Sequence, residues 1–299
     1  MHLRALMYFD ELVHTNSMRA AAENLGVAPT AISRQIESLE EHFGTQLVER
    51  SSRGVKLTAA GELLAARAGK TLRELNLVQQ LMDDLKGLER GEVTIFANGA
   101  AVNLLAPVLS GFSIKYPKLR FNVQITSARQ AIDALNSAEA DVALILFGPN
   151  VSEVEIRARK DIVYDVILPA DHPLASAKSV TLKEIAGYPL ALPEKGFAAR
   201  QAFEEIFASA KVALDPVFTV SSLELLRELV LDKAAITLLP SLSVSRDIRA
   251  GQMVAVPLAG TKGVRTEIQL CTAPDRDLSF AASTFISFVQ EVMKTDGQK

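Results

Sequence analysis

The sequence predicts two folds in series: an all-α winged helix-turn-helix that ends in a long linker helix, then an α/β domain. Three observations predict it. Up to about residue 90 apolar residues recur at three- and four-residue steps, the period of a helix. Two short helical stretches inside that region flank a tight, Gly-containing turn. From Glu92 short β-rich runs alternate with amphipathic stretches, which predicts parallel sheets covered by helices.

Leu3, Leu6, Met7, Phe9, Leu12 and Val13 form the stripe of a first helix. Thr15, Asn16 and Ser17 supply a turn and an N-cap for a second, Ala-rich helix from Met18 to Leu25, which Gly26 ends. A third helix begins at Pro29, where a missing N–H costs nothing, and runs to Phe43 before Gly44. Ile32, Ile36, Leu39 and Phe43 share one face of it and are expected inside, with Thr30, Ser33, Arg34 and Glu37 outside. Residues 46–50 and 55–57 read as strands of a hairpin around Ser51-Ser52-Arg53-Gly54, a wing made basic by Arg50, Arg53 and Lys56.

Thr58 caps a long helix expected to reach about Leu88, a rod of roughly 46 Å. Its apolar residues Leu63, Leu64, Leu72, Leu75, Val78, Leu81, Met82 and Leu85 are expected to pack against a second copy, which predicts a dimer. Gly87 and Gly91 suggest a hinge beyond it. In the α/β half the expected strands are 93–97, 120–125, 142–146, 162–168, 189–192, 217–220, 235–239 and 267–272. The expected helices are 102–115, 129–137, 198–210, 223–231 and 279–294.

Composition narrows the functional classes. The 299 residues are 48% hydrophobic and 22% charged, which excludes a disordered chain. Thirty-two Lys and Arg stand against 35 Asp and Glu, so any binding to nucleic acid must come from local segregation of cations. Residues 1–90 are no more basic, with 11 cationic against 12 acidic side chains. The lone Cys271 has no partner for an internal disulfide and reads as inert core. The four histidines show no metal-ligand spacing, so neither metal nor other cofactor is expected. No apolar run reaches membrane-spanning length, and the first residues lack the pattern of a secretory signal, so a cytoplasmic protein is expected.

A set of fixed spacings then carries a family resemblance: Ala20-Ala21-Ala22-Glu23-Asn24-Leu25, Ala31-Ile32-Ser33-Arg34-Gln35-Ile36-Glu37-Ser38-Leu39-Glu40, Phe43-Gly44, Leu47, Arg50, Arg53-Gly54-Val55 and Leu57-Thr58-Ala59-Ala60-Gly61. In these positions the chain resembles the DNA-binding domain of LysR-type transcriptional regulators. Phe112, Tyr116-Pro117, Asp141, Asp171-His172-Pro173 and Leu238-Leu239-Pro240 extend the resemblance more weakly through the remainder.

The resemblance implies a winged helix-turn-helix over 1–58, a linker and dimerisation helix over 59–90, and an effector-binding domain over 91–299. That domain is implied to be two-lobed and similar to periplasmic binding proteins, with lobe 1 at 92–160 and 266–299 and lobe 2 at 161–265. The implied partners are double-stranded DNA, a small-molecule effector, further copies in a homodimer or homotetramer, and RNA polymerase at the promoter. The chain departs from the pattern twice. Ala28-Pro29-Thr30 stands where the family usually has Ser-Gln-Pro or Ser-Gln-Ser, and Pro29 has no side-chain hydrogen-bonding group to offer a base. Asp232-Lys233-Ala234-Ala235 stands where a Gly-containing turn is common.

Candidate DNA-binding residues are Ser17, Pro29, Thr30, Ser33 and Arg34 around the third helix, which would enter the major groove, and Arg50, Arg53 and Lys56 of the wing. The competing readings are an ordinary solvated helix face and scattered surface cations. Ligands of two-lobed α/β domains sit outside the carboxyl ends of strands. The effector candidates are therefore Asn98, Gly99, Ala100, Thr126, Ser127, Phe147, Gly196, Phe197, Ser221 and Ser222. Small hydroxyl residues at helix N-termini favour a small organic anion or an amino acid, although the same residues serve equally as plain helix caps. A transporter-linked solute-binding protein would lack the helix-turn-helix. An enzyme would need a catalytic constellation, and the chain has no G-x-S-x-G, phosphate loop, H-E-x-x-H or C-x-x-C. The expected function is a non-enzymatic, sequence-specific regulator of transcription modulated by an effector.

Overall fold

The computed structural model describes residues 3–51, 54–85, 90–146, 153–259 and 264–295. The chain divides into two compact units, essentially residues 1–88 and 89–299. In the first, α1 (Leu3–Thr15), α2 (Met18–Leu25) and α3 (Pro29–Phe43) precede strands β1 (Val48–Ser51) and β2 (Gly54–Leu57) and the long helix α4 (Ala59–Leu85). The local punctuation works as the residues dictate. Asn16 turns the chain at φ 51°, and the Ser17 hydroxyl accepts the N–H of Ala20 at 3.3 Å. Gly26 and Gly44 end α2 and α3 in the left-handed conformation.

Phe9, Leu12, Ile32, Ile36, Leu39 and Leu47 are fully buried among these helices. Phe43, expected inside, is 44% exposed. It is the last residue of α3, and its ring lies edge-on to His42. The wing is anchored from both sides. The Glu40 carboxylate accepts the N–H groups of Leu47 and Val48 at 2.7 and 3.2 Å, and the Val55 N–H donates to the Asn16 carbonyl at 3.3 Å. Thr58 caps α4 through the N–H of Gly61 at 3.0 Å. A Cβ on Gly61 would lie 2.0 Å from the Leu47 carbonyl oxygen, so only glycine lets α4 approach the wing this closely. Of the wing residues, Ser52 and Arg53 lie outside the described residues, as do the last three residues of the expected long helix.

In the second unit the chain runs β3 (Gly91–Ala97), α5 (Val102–Lys115), β4 (Leu119–Ile125), α6 (Ala128–Asn136), β5 (Val142–Leu146) and β6 (Glu155–Pro169). It continues through α7 (Leu182–Ile185), β7 (Ala191–Pro193), α8 (Ala198–Ser209), β8 (Phe218–Val220), α9 (Leu223–Leu231) and β9 (Thr237–Pro240). The chain ends with α10 (Ser245–Arg249), β10 (Met253–Val256), β11 (Val264–Thr272) and α11 (Phe280–Thr295). The elements absent from the sequence reading are α7, α10 and β10, each of four or five residues and too short to show a period.

The expectation of parallel sheets needs correction. Among the strands of the described residues, β3 pairs in parallel with β4 and β5, and β7 with β8, and two isolated parallel bridges join Val180 to Leu258 and Leu190 to Ile236. The sheet of order β10-β6-β11-β5-β3-β4 is antiparallel from β5 outward, with β9 also antiparallel to β6. The reason is the 15-residue β6. Its first part pairs with β11 and its last residues, from Tyr164 to Pro169, with β9 and β10, so one strand belongs to both lobes. The lobe boundaries expected at 160/161 and 265/266 fall inside the strands β6 and β11. Lobe 1 packs α5 and α11 on the sheet around Phe112, whose ring meets those of Tyr116, Phe121, Phe285 and Phe288. In lobe 2, Ile167, Leu226, Val230, Leu239 and Met253 form a buried cluster under α9.

Candidate functional site

In the first unit the N-terminus of α3 is the exposed polar edge. Ala28 gives no side-chain cap, and Pro29 occupies the first helical position. Thr30 and Arg34, one helical turn apart, are exposed, while Ser33 between them is half-buried. The side chains of Thr30, Arg34 and the exposed wing residue Lys56 make no hydrogen bond or ion pair with the described residues. Ser17 differs, because its half-buried hydroxyl is spent on the cap of α2. Arg50 lies on β1, opposite Val55. The positive end of the α3 dipole adds to the attraction of this edge for phosphate.

In the second unit the candidate residues gather where parallel strands end. Asn98 follows β3, Thr126 and Ser127 follow β4, and Phe147, outside the described residues, follows β5. In lobe 2 the Gly196–Phe197 and Ser221–Ser222 segments follow the paired strands β7 and β8, and the Glu194 N–H donates to the Val220 carbonyl at 3.1 Å. The lobes close on one another here. A Cβ on Gly99 would lie 4.0 Å from both Ile125 and Leu223, and the Asn103 amide donates to the Ser243 carbonyl.

Most polar candidates are already engaged. The Asn98 oxygen accepts the Leu146 N–H at 2.7 Å and its amide donates to the Thr126 carbonyl at 3.4 Å, so Asn98 ties three strand ends together. Thr126 and Ser127 both donate to Gln130, at 2.5 and 2.9 Å, and the Ser127 hydroxyl accepts the Gln130 N–H at 3.3 Å. Ser222 caps α9 through the Leu225 N–H at 3.2 Å. Gly99 and Ala100 offer backbone only. Phe197 and Ile125 are exposed, so the loops also present apolar surface. Ile125, Leu223 and the Asn103 contact escaped the sequence reading; the Gln130 cap was legible as Ser-x-x-Gln.

The helix-turn-helix and the two-lobed unit are both matched by family models. Residues 3–62 match the bacterial regulatory helix-turn-helix of the lysR family, and residues 86–294 the LysR substrate binding domain. The chain belongs to the LysR family of transcriptional regulators. Among its LysR relatives, the RuBisCO operon transcriptional regulator of Allochromatium vinosum is 28% identical over 291 residues, 96% of this chain and 95% of that one. The hydrogen peroxide-inducible genes activator of Pectobacterium carotovorum subsp. carotovorum is 30% identical over 249 residues, 83% and 82% of the two chains. Full-length CbnR in complex with its target DNA has the same fold, with a TM-score of 0.70 at 22% identity over 98% of this chain and 100% of that one. A full-length OxyR variant from Pseudomonas aeruginosa gives 0.72 at 21% identity, covering 98% and 95%.

This LysR-family chain is therefore a DNA-binding regulator with an effector-binding domain, and the family is regulatory rather than enzymatic. Among the described residues no three His, Cys, Asp or Glu side chains gather as a metal site, and no helix is long and apolar enough to cross a membrane. Cys271 is fully buried on β11, and burial pushes its thiol up to about 12.

Proposed function

We propose that this regulator reads an interrupted palindrome through α3 and the wing, and that a small organic anion or amino acid bound between its lobes changes that binding. Thr30, Ser33 and Arg34, with Pro29 beside them, face the major groove; Arg50, Arg53 and Lys56 hold phosphates. Residues 1–58 bind DNA, 59–90 link and dimerise, and 91–299 bind effector, in a cytoplasmic protein that works at the promoter.

The observation that carries the effector reading is the meeting of the Gly99 turn with Leu223 at the start of α9. A molecule held there touches both lobes, so its affinity depends on how far they have closed, and only such a difference can shift a population. With most polar candidates committed, the positive N-terminal ends of α6 and α9 attract a carboxylate. Assembly is supported by α4, on which Leu75, Val78 and Met82 lie exposed at steps of three and four residues, the spacing of a helix-pairing seam. Two dimers give the homotetramer.

The test is selection and sequencing of genomic fragments bound by the purified protein, with and without small carboxylates and amino acids. An enriched interrupted palindrome whose footprint changes with one compound is the expected result. Sequence-independent recovery that vanishes at physiological salt would overturn it.

A further inference from the structure

Lobe 2 carries a recess of about 370 Å³ away from the interlobe loops, within the range of small-molecule sites. Its position follows from strand direction. The interlobe loops leave the carboxyl ends of β7 and β8, whereas Pro189 precedes β7, Ile236 precedes β9, and Pro169 ends β6, which runs antiparallel to β9. The recess therefore lies at the opposite end of these strands.

Pro169, Pro173, Pro189 and Tyr188 line it, a rigid apolar wall in which the prolines have no N–H to offer. Three polar groups join them. Asp171 and Lys233 form an ion pair, both well exposed, and the His172 ring lies edge-on 4.5 Å from Tyr188. His172 Nδ1 accepts the Leu174 N–H at 3.2 Å, which leaves the ring proton on Nε2 as a donor. Burial lowers the pKa of this histidine, which keeps it neutral.

Lys233 is held at φ 58°, a left-handed conformation that glycine adopts without cost, and it stands where the resemblance leads one to expect a Gly-containing turn. The chain thus keeps a charged side chain where the backbone favours none.

We propose that this recess is a second small-molecule site and that it takes a free amino acid with an apolar side chain. One carboxylate, one ammonium and one neutral donor beside an apolar wall complement a zwitterion. Its α-carboxylate meets Lys233 and His172, its α-ammonium meets Asp171, and its side chain lies on the prolines and Tyr188. Exchange is cheap, because an exposed ion pair contributes little and the zwitterion replaces it with two.

Calorimetric titration of the full-length protein with L-leucine, L-phenylalanine and L-proline tests this, each against its N-acetyl and carboxamide forms. Millimolar or tighter binding of at least one amino acid is expected, weakened about tenfold or more when either charge is blocked. Lys233→Gly and Asp171→Asn should weaken it to a similar degree. Lys233→Gly removes the cation while relieving the backbone, so its melting temperature should hold or rise. Ser222→Phe, in the interlobe loops, should leave this binding intact. The proposal is overturned if no amino acid binds in the millimolar range, if blocked forms bind as well, or if Lys233→Gly and Asp171→Asn bind like the parent. Loss on Ser222→Phe alone would also overturn it, by moving the ligand to the interlobe cleft.

Discussion

The edge of α3 and the loops between the lobes are both polar, yet they spend their polar atoms differently. The side chains of Thr30, Arg34 and Lys56 form no hydrogen bond or ion pair with the described residues. Asn98, Thr126, Ser127 and Ser222 are bound to the backbone or to Gln130. A surface that meets a large, highly charged partner keeps its side chains free. On the proposed reading, the loops between the lobes use theirs to pin strand ends and helix starts, which would leave recognition of an effector to backbone and apolar groups.

The largest effect that separates the two regions should come from Gly61→Ala. Its Cβ would meet the Leu47 carbonyl at 2.0 Å, so the first unit should lose about 3 kcal/mol or more, while effector binding by the second survives. Scanning calorimetry should show an early transition only in the variant. Next comes Val78→Asp with Met82→Asp, which places charge in the exposed seam of α4. Light scattering should report smaller species, and DNA affinity should fall by about 10² or more as paired half-site binding is lost. Unchanged mass would remove α4 from the assembly.

Arg34→Ala is expected to weaken DNA binding by about 1–3 kcal/mol and to relax one position of the operator. Lys56→Ala should instead weaken all sequences alike and lower the salt slope by about one. If the two variants behave identically, the division between helix and wing is wrong. In the cleft, Asn98→Ala should cost about 1–2 kcal/mol of stability, because the Leu146 N–H loses its acceptor. Ser222→Phe should abolish the effector response with a smaller stability loss. The smallest effect is at Cys271: with the thiol pushed up to about 12, thiol reagents at pH 8 should fail to label the folded protein, and peroxide should leave DNA binding unchanged.

Much of the first unit was legible because its signals are local. The Ser17 cap, Pro29 at a helix start and the glycines after α2 and α3 act within one turn of the chain, and α3 runs over the residues expected. Phe43 is the instructive exception, since helical period placed it inward while its position at the end of α3 exposes it. The α/β half was legible as a set of elements, with α5, α9 and β5 at their expected bounds. Pairing was not legible: alternation marks a strand without naming its partner or direction.

The sequence by itself therefore determined most of the longer helices and the cores of most strands, the caps that bound α2 and α3, and the family to which the chain belongs. Only the tertiary structure decided that β6 runs antiparallel through both lobes, that Asn98 ties strand ends, that Gly99 meets Leu223, and that Lys233 faces Asp171 across 62 residues of chain. Caps and periods are energies between neighbours a few residues apart. Sheet order and the fate of a polar side chain depend on which distant backbone groups arrive beside it.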